Sequence, residues 1–129
     1  MSTEHPLTAT VDVEVEPRFL PEHSDPDSAE YTFAYTVTIR NHGEHSVQLL
    51  SRHWIITDGN NQVREVKGEG VVGQQPHIGP GKSYRYSSGA ILTTKTGTME
   101  GSFQMRSAHG EAFDATIHPF GLIHPDSLQ

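Results

Sequence analysis

Cysteine is absent from this 129-residue chain. That absence excludes a disulfide scaffold, a thiolate metal site and a cysteine nucleophile. Long apolar runs are missing too: none approaches the roughly 20 residues a membrane-spanning helix needs. The first 20 residues hold neither the basic start nor the apolar stretch of a secretory signal, so a cytoplasmic protein with no membrane contact is expected. Basic charge is sparse, with nine Lys and Arg against sixteen Asp and Glu and a net charge of −7. Nucleic-acid binding through a broad basic face is therefore not expected, because neutralising phosphates takes clustered Lys and Arg. Leu, Ile, Val and Phe make up about 22% of the chain, just above the composition at which disorder becomes the default. No segment carries the 3.6-residue apolar stripe of an amphipathic helix.

What is present is alternation. Residues 8–16 place Val11, Val13 and Val15 on one parity and Asp12, Glu14 and Glu16 on the other. Residues 31–41 repeat the pattern, with Tyr31, Phe33, Tyr35, Val37 and Ile39 inward. That is the period of a strand with one buried face. Between them, Pro17 to Glu30 reads as a long polar loop, and Asn41-His42-Gly43-Glu44 as a turn. Residues 47–57 are apolar on both parities, which fits either a strand covered on both faces or a bulge that shifts the alternation. Asp58-Gly59-Asn60-Asn61 is a hairpin turn, returned by Gln62–Lys67. Strands follow over 82–88 and 98–107, then an inward row of Phe113, Ala115 and Ile117. The stretch after Phe120 is expected to fray. About seven or eight short strands indicate an all-β fold, an antiparallel β-sandwich of the immunoglobulin or fibronectin type III kind. One domain over 1–129 is expected, with an ordered core of about 8–124 and Trp54 as its central aromatic.

The negative charge is uneven. The first 30 residues contain eight acids and only Arg18 as a base, which accounts for the whole net charge. Such an edge can attract a basic partner or cations, but solubility and protection of an edge strand explain it more simply.

Few motifs carry chemistry. Gly68-Glu69-Gly70-Val71-Val72-Gly73 matches the dinucleotide pattern G-x-G-x-x-G. That motif needs a helix after it to hold the pyrophosphate, and Gln74-Gln75-Pro76 starts none. A looser role remains: the amides around Gly68, Gly70 and Gly73 can form an anion-binding nest for phosphate or a nucleotide, with Arg52 or Arg64 adding charge. Against it stands a loop that simply needs positive φ. Nine histidines are present, but none falls at a metal-ligand spacing, so no metal site and no cofactor are expected. Ser51, Ser87 and Ser88 lie near strands that also carry His53, yet no nucleophile turn accompanies them and no catalytic residue is assigned. Arg52, His53 and Gln75 are candidates for a protein-contact rim, since Arg and Trp anchor interfaces. Trp54 itself reads as core.

Several strings together resemble the ApaG family. They are Leu49-Leu50-Ser51-Arg52-His53-Trp54-Ile55-Ile56-Thr57, Val66-Lys67-Gly68-Glu69-Gly70-Val71-Val72-Gly73-Gln74-Gln75-Pro76, Pro80-Gly81, Tyr86-Ser87-Ser88-Gly89, and Gly97-Thr98-Met99-Glu100-Gly101-Ser102-Phe103 with Phe113. The resemblance covers about residues 8–124. One departure is local: the family's usual Ile-Pro-x-Phe ending is here Ile117-His118-Pro119. The resemblance implies a fibronectin type III-like sandwich without catalytic residues. It implies a link to cobalt resistance and magnesium efflux, and use of the same domain as a protein-binding module in eukaryotic proteins. The expected function is a non-enzymatic protein-interaction module tied to divalent-cation homeostasis through a protein partner. The alternatives are a pyrophosphate or nucleotide binder in the glycine loop, or direct binding of Co²⁺ or Mg²⁺. Exposed edge strands also allow a homodimer.

Overall fold

The computed structural model describes residues 4–127. Eight strands follow in order: β1 Val11–Phe19, β2 Tyr31–Asn41, β3 Val47–Asp58, β4 Val63–Glu69, β5 His77–Ile78, β6 Ser83–Leu92, β7 Thr96–Ser107 and β8 Ala112–Ile123. Among the described residues the only helical turns are short 3-10 segments. Strands β1-β2-β6 make one antiparallel sheet, and β4-β3-β7-β8 the other, with β5 added to β3. The two faces pack on each other as the sandwich the alternation predicts.

Strand β2 is the most regular element. Every second residue from Tyr31 to Asn41 is buried. Opposite it, Trp54 of β3 is only 2% exposed. Its ring meets Tyr35 at 5.3 Å, Phe120 at 5.9 Å and Phe103 at 6.2 Å, all edge-on. Aromatic pairs of this geometry add about 0.5–1.5 kcal/mol each beyond the area they bury. Trp54 is thus the central core aromatic.

Two bulges explain where alternation breaks. In β3 the pairing with β7 steps from Leu49↔Met105 to Ser51↔Gln104, leaving Leu50 as the extra residue. Val47 and Leu49 are buried before it, and Trp54 and Ile56 after it, on the opposite parity. Of the two readings open for this segment, the bulge is the one that occurs. In β8 the pairing steps from Gly101↔Ile117 to Met99↔Phe120, so His118 and Pro119 share one partner position. Pro119 cannot donate to a ladder, and a bulge on an edge strand is where it does least harm. The departure from the usual family ending therefore lies inside this bulge.

Three expectations about boundaries change. Strand β1 does not end at Glu16. It runs through Pro17 to Phe19, and Pro17 pairs with Tyr35. An edge strand tolerates that proline because one of its sides has no ladder to complete. Residues 8–10 belong to a 3-10 turn rather than to β1. The chain after Phe120 is held: Leu122 is fully buried, and the His124 ring packs on Phe19 at 4.4 Å.

The sandwich is closed unevenly. Edge strands β1 and β8 lie against each other, and the Thr8 hydroxyl donates to the Asp114 carbonyl at 2.6 Å. On the opposite flank, between β4 and β6, the Arg64 guanidinium reaches across to the Ile91 carbonyl at 3.4 Å. The acidic parity of β1, Asp12, Glu14 and Glu16, faces outward on an edge strand, and Glu14 pairs with Arg40 at 2.9 Å.

Asn41 is the last residue of β2 rather than part of a turn, and it is 1% exposed. Its Nδ2 donates to the carbonyls of His45 (2.8 Å) and Ile78 (2.9 Å), and its Oδ1 accepts from Gly43 N–H (2.9 Å). Asn41→Ala leaves three buried or half-buried backbone groups without partners. It is expected to lower stability by about 2–3 kcal/mol, read as a shifted urea midpoint at unchanged slope.

Candidate functional site: a slot beneath the glycine turn

The bulge at Leu50 decides the direction of Arg52. After it, even-numbered residues of β3 face inward, so Arg52 lies on the same side as Trp54 while His53 faces out. Arg52 pairs in register with Gly68 of β4. A Cβ at Gly68 would lie 2.7–2.8 Å from the guanidinium atoms, so glycine leaves the guanidinium in its place where a larger residue would displace it. Arg52 Nη1 then donates to the carbonyls of Glu69 (3.0 Å) and Gly70 (2.9 Å).

Those carbonyls open a tight turn. Val71 N–H donates to the Gln74 carbonyl at 2.8 Å and Gln74 N–H returns to Val71 at 2.9 Å. The two residues between, Val72 and Gly73, both have positive φ, 49° and 77°. Positive φ at both central positions marks a type I′ turn, whose twist suits a hairpin. Gly70 also has positive φ, 64°, and a Cβ there would collide with the Gln74 carbonyl. The turn is anchored to the bulge. Gly70 N–H and the Gln75 side-chain amide both donate to the Leu50 carbonyl, each at 2.8 Å.

The sequence candidates are therefore brought together only in part. Gly68, Gly70, Gly73, Arg52 and Gln75 form one construction. Gln75 reaches back to the bulge, and the Gly70, Val71 and Gln74 amides already have backbone acceptors. His53 lies on the other face, with Nε2 3.5 Å from the Glu65 carboxylate. Ser51 donates to Gln104, and Ser87 shares a hydrogen bond with Thr36. Among the described residues, no three His, Asp or Glu gather as they would around a metal ion.

Beneath the turn, between the sheets, lies a cavity of about 340 Å³. Tyr35, Arg52, Trp54, Tyr86 and Ser88 line it, with residues 71–73 above. Trp54 Nε1 and Tyr86 Oη are buried and have no hydrogen-bond partner. The Tyr35 hydroxyl bonds to the Ser88 side chain. Burial pushes both phenols above their ordinary value. For Tyr86 the neighbouring Tyr35 adds to this, and for both the Arg52 charge opposes it. Sequence reasoning placed Tyr35 on an inward row but did not see that it meets Tyr86 and Arg52. The available signal was tyrosine rather than phenylalanine at inward positions, since a buried phenol needs a partner.

A second cavity of about 200 Å³ lies on the same flank, bordered by Ile56, Val63, Arg64, Ile91 and Leu92. Val63 is 64% exposed, Ile91 52% and Val72 64%.

Two measurements follow from this geometry. A β-branched residue at positive φ is strained. Val72→Asn is therefore expected to raise stability by about 1 kcal/mol in denaturant unfolding, since asparagine suits that turn position. The second concerns pH. Tyr35 and Tyr86 hold their protons above the ordinary phenol value of 10.0 in the folded state. The unfolded chain releases them near that value, so the native state binds more protons at alkaline pH. Stability is then intact below pH 10.0 and falls as pH rises towards the folded values. A tyrosinate absorbance titration should show a late-titrating class that disappears in urea.

The sequence profile described as the ApaG domain matches residues 21–107. The ApaG protein of Pseudomonas syringae pv. tomato is 57% identical over 118 residues, covering 92% of this chain and 94% of that protein. The ApaG protein of Azotobacter vinelandii is 56% identical with the same coverage. Among solved structures, one structural-genomics target superposes with a TM-score of 0.91 at 45% identity, over 95% of this chain and 93% of that one. A Bordetella pertussis target superposes with a TM-score of 0.87 at 50% identity, over 89% and 94%. With the profile spanning most of the sandwich and these relatives spanning nearly all of it, the chain belongs to the ApaG family.

Proposed function

We propose that this protein is a non-enzymatic, cytoplasmic protein-binding module of one domain, and that its partner docks on the flank between β4 and β6. One observation carries the reading. Of the four large hydrophobic residues that stand exposed among the described residues, Val63, Val72 and Ile91 border the two cavities of this one flank. Scattered exposed apolar residues are ordinary, but a cluster beside an open sheet edge suits a partner surface. Strand β6 ends its sheet, so one side of its backbone is free to pair with an added strand. The connection to divalent-cation homeostasis then runs through the partner.

The other reading places pyrophosphate or a nucleotide in the Gly68–Gly73 loop. It is less favoured, because the Gly70 and Val71 amides it would recruit are engaged within the protein. The serines likewise have other work: Ser51, on β3 with His53, bonds Gln104, and Ser87, on the other sheet, shares a hydrogen bond with Thr36.

The test is affinity capture from host lysate with the wild-type chain and with a Val63→Asp, Ile91→Asp double variant. Both sites are exposed, so the melting temperature should move by only a degree or two. A protein enriched by the wild type and lost with the folded variant is the expected result. Enrichment that ignores the double substitution removes this flank from consideration. Sedimentation of both proteins shows whether the occupant is a second copy of the chain.

A further inference from the structure

We infer that the slot beneath the glycine turn receives a carboxylate carried by a peptide segment of the docking partner. This rests on the protein-binding reading of the β4–β6 flank and names what the partner must present there.

The chemistry of the lining is one-sided. An indole N–H and a guanidinium can only donate hydrogen bonds, and a phenol donates readily. Trp54 Nε1 and Tyr86 Oη face no acceptor, although Trp54 is 2% exposed and Tyr86 9%. An unpartnered buried donor costs roughly 1–3 kcal/mol. Two such groups in the lining of one cavity favour an occupant that brings acceptors. Arg52 supplies the charge, held in place by its bonds to the Glu69 and Gly70 carbonyls. Its guanidinium matches a carboxylate in shape as well as in sign.

The charge count selects a monoanion. One arginine lines the slot, and Glu69 also borders it. With one cation and one carboxylate at the slot, a monoanion leaves one net negative charge and a phosphate dianion leaves two, so the monoanion is better tolerated. The cavity, about 340 Å³, is larger than a carboxylate alone and admits the residue that carries it. Val72 at the rim offers apolar contact to a neighbouring side chain. An extended segment added along β6 turns alternate side chains towards the inter-sheet space, which is where the slot opens.

Trp54 is the sole tryptophan, so the indole N–H gives one unambiguous signal in a proton–nitrogen correlation spectrum. The full labelled chain is titrated with four probes. They are an apolar tripeptide with a free C-terminal carboxylate, the same tripeptide as its amide, an end-blocked tripeptide with a central Glu, and inorganic phosphate. The expected result is a saturable shift of the indole signal with the free-acid peptide, the Glu peptide or both, at least about tenfold weaker with the amide. Which acid responds separates a chain-end carboxylate from an acidic side chain. Tyr86→Phe keeps the ring and removes one donor. It is expected to weaken binding by roughly five- to tenfold at an almost unchanged melting temperature. A silent indole signal, equal response to acid and amide, a stronger response to phosphate, or unaltered binding in Tyr86→Phe each overturns the assignment. The amides of Val63 and Ile91 are read in the same spectra. Shifts there with a silent indole signal leave the flank as a docking surface and remove only the carboxylate. Silence at both places, joined to capture that ignores the flank, removes both.

Discussion

The extra residue at Leu50 is the constraint on which the β4–β6 flank of this molecule depends. Without it, strand β3 would keep the parity that buries Val47 and Leu49, and Trp54 would face outward. With it, Trp54 becomes the centre of the core and Arg52 is turned between the sheets. The carbonyl exposed by the bulge is not left unpaired. It accepts from Gly70 and from Gln75, so the irregularity in β3 is also the anchor of the turn that follows β4. Bulges often re-aim a side chain beside a functional site, and here the re-aimed side chain is an arginine.

Around that bulge the glycines have separate duties. Gly68 gives Arg52 room to pass, Gly70 avoids the Gln74 carbonyl, and Gly73 takes the second left-handed position of the turn. A motif that looks like one phosphate loop is thus three local solutions to backbone and packing problems. Val72 is the exception, because a β-branched residue sits where glycine or asparagine would be relaxed. Strain of that kind persists only where the surroundings over-determine it. Here the two residues before it are tied, Val71 to Gln74 and Gly70 to Leu50.

The two flanks of the sandwich are treated differently. On the β1–β8 side the edges meet, and β1 carries a row of acids that discourages pairing with another chain. On the β4–β6 side the sheets are spanned by Arg64 and by the glycine turn, and apolar residues remain exposed. The acidic row of β1 therefore sits on the protected edge, and not on the flank with the donor-lined slot.

Strand content, the inward rows of β2, β7 and the first half of β8, the hairpin at Asp58–Asn61 and the family strings were all legible in the sequence. Each depends on neighbours within a few positions, where a period of two or a turn residue is a local signal. Alternation also showed that Tyr35 points inward, and that something unusual occurs between Leu49 and Trp54. It could not choose between a bulge and burial on both faces, because both produce the same run of apolar residues. Nor could it place Pro17 in a strand, since an edge position is a property of the sheet and not of the residue. Above all, periodicity names the face of a strand but not what lies across the core from it. That Arg52 and Trp54 of one sheet meet Tyr35 and Tyr86 of the other, leaving two donors without acceptors, was decided only by the packing of the sheets. Sequence separation carries no record of such a contact.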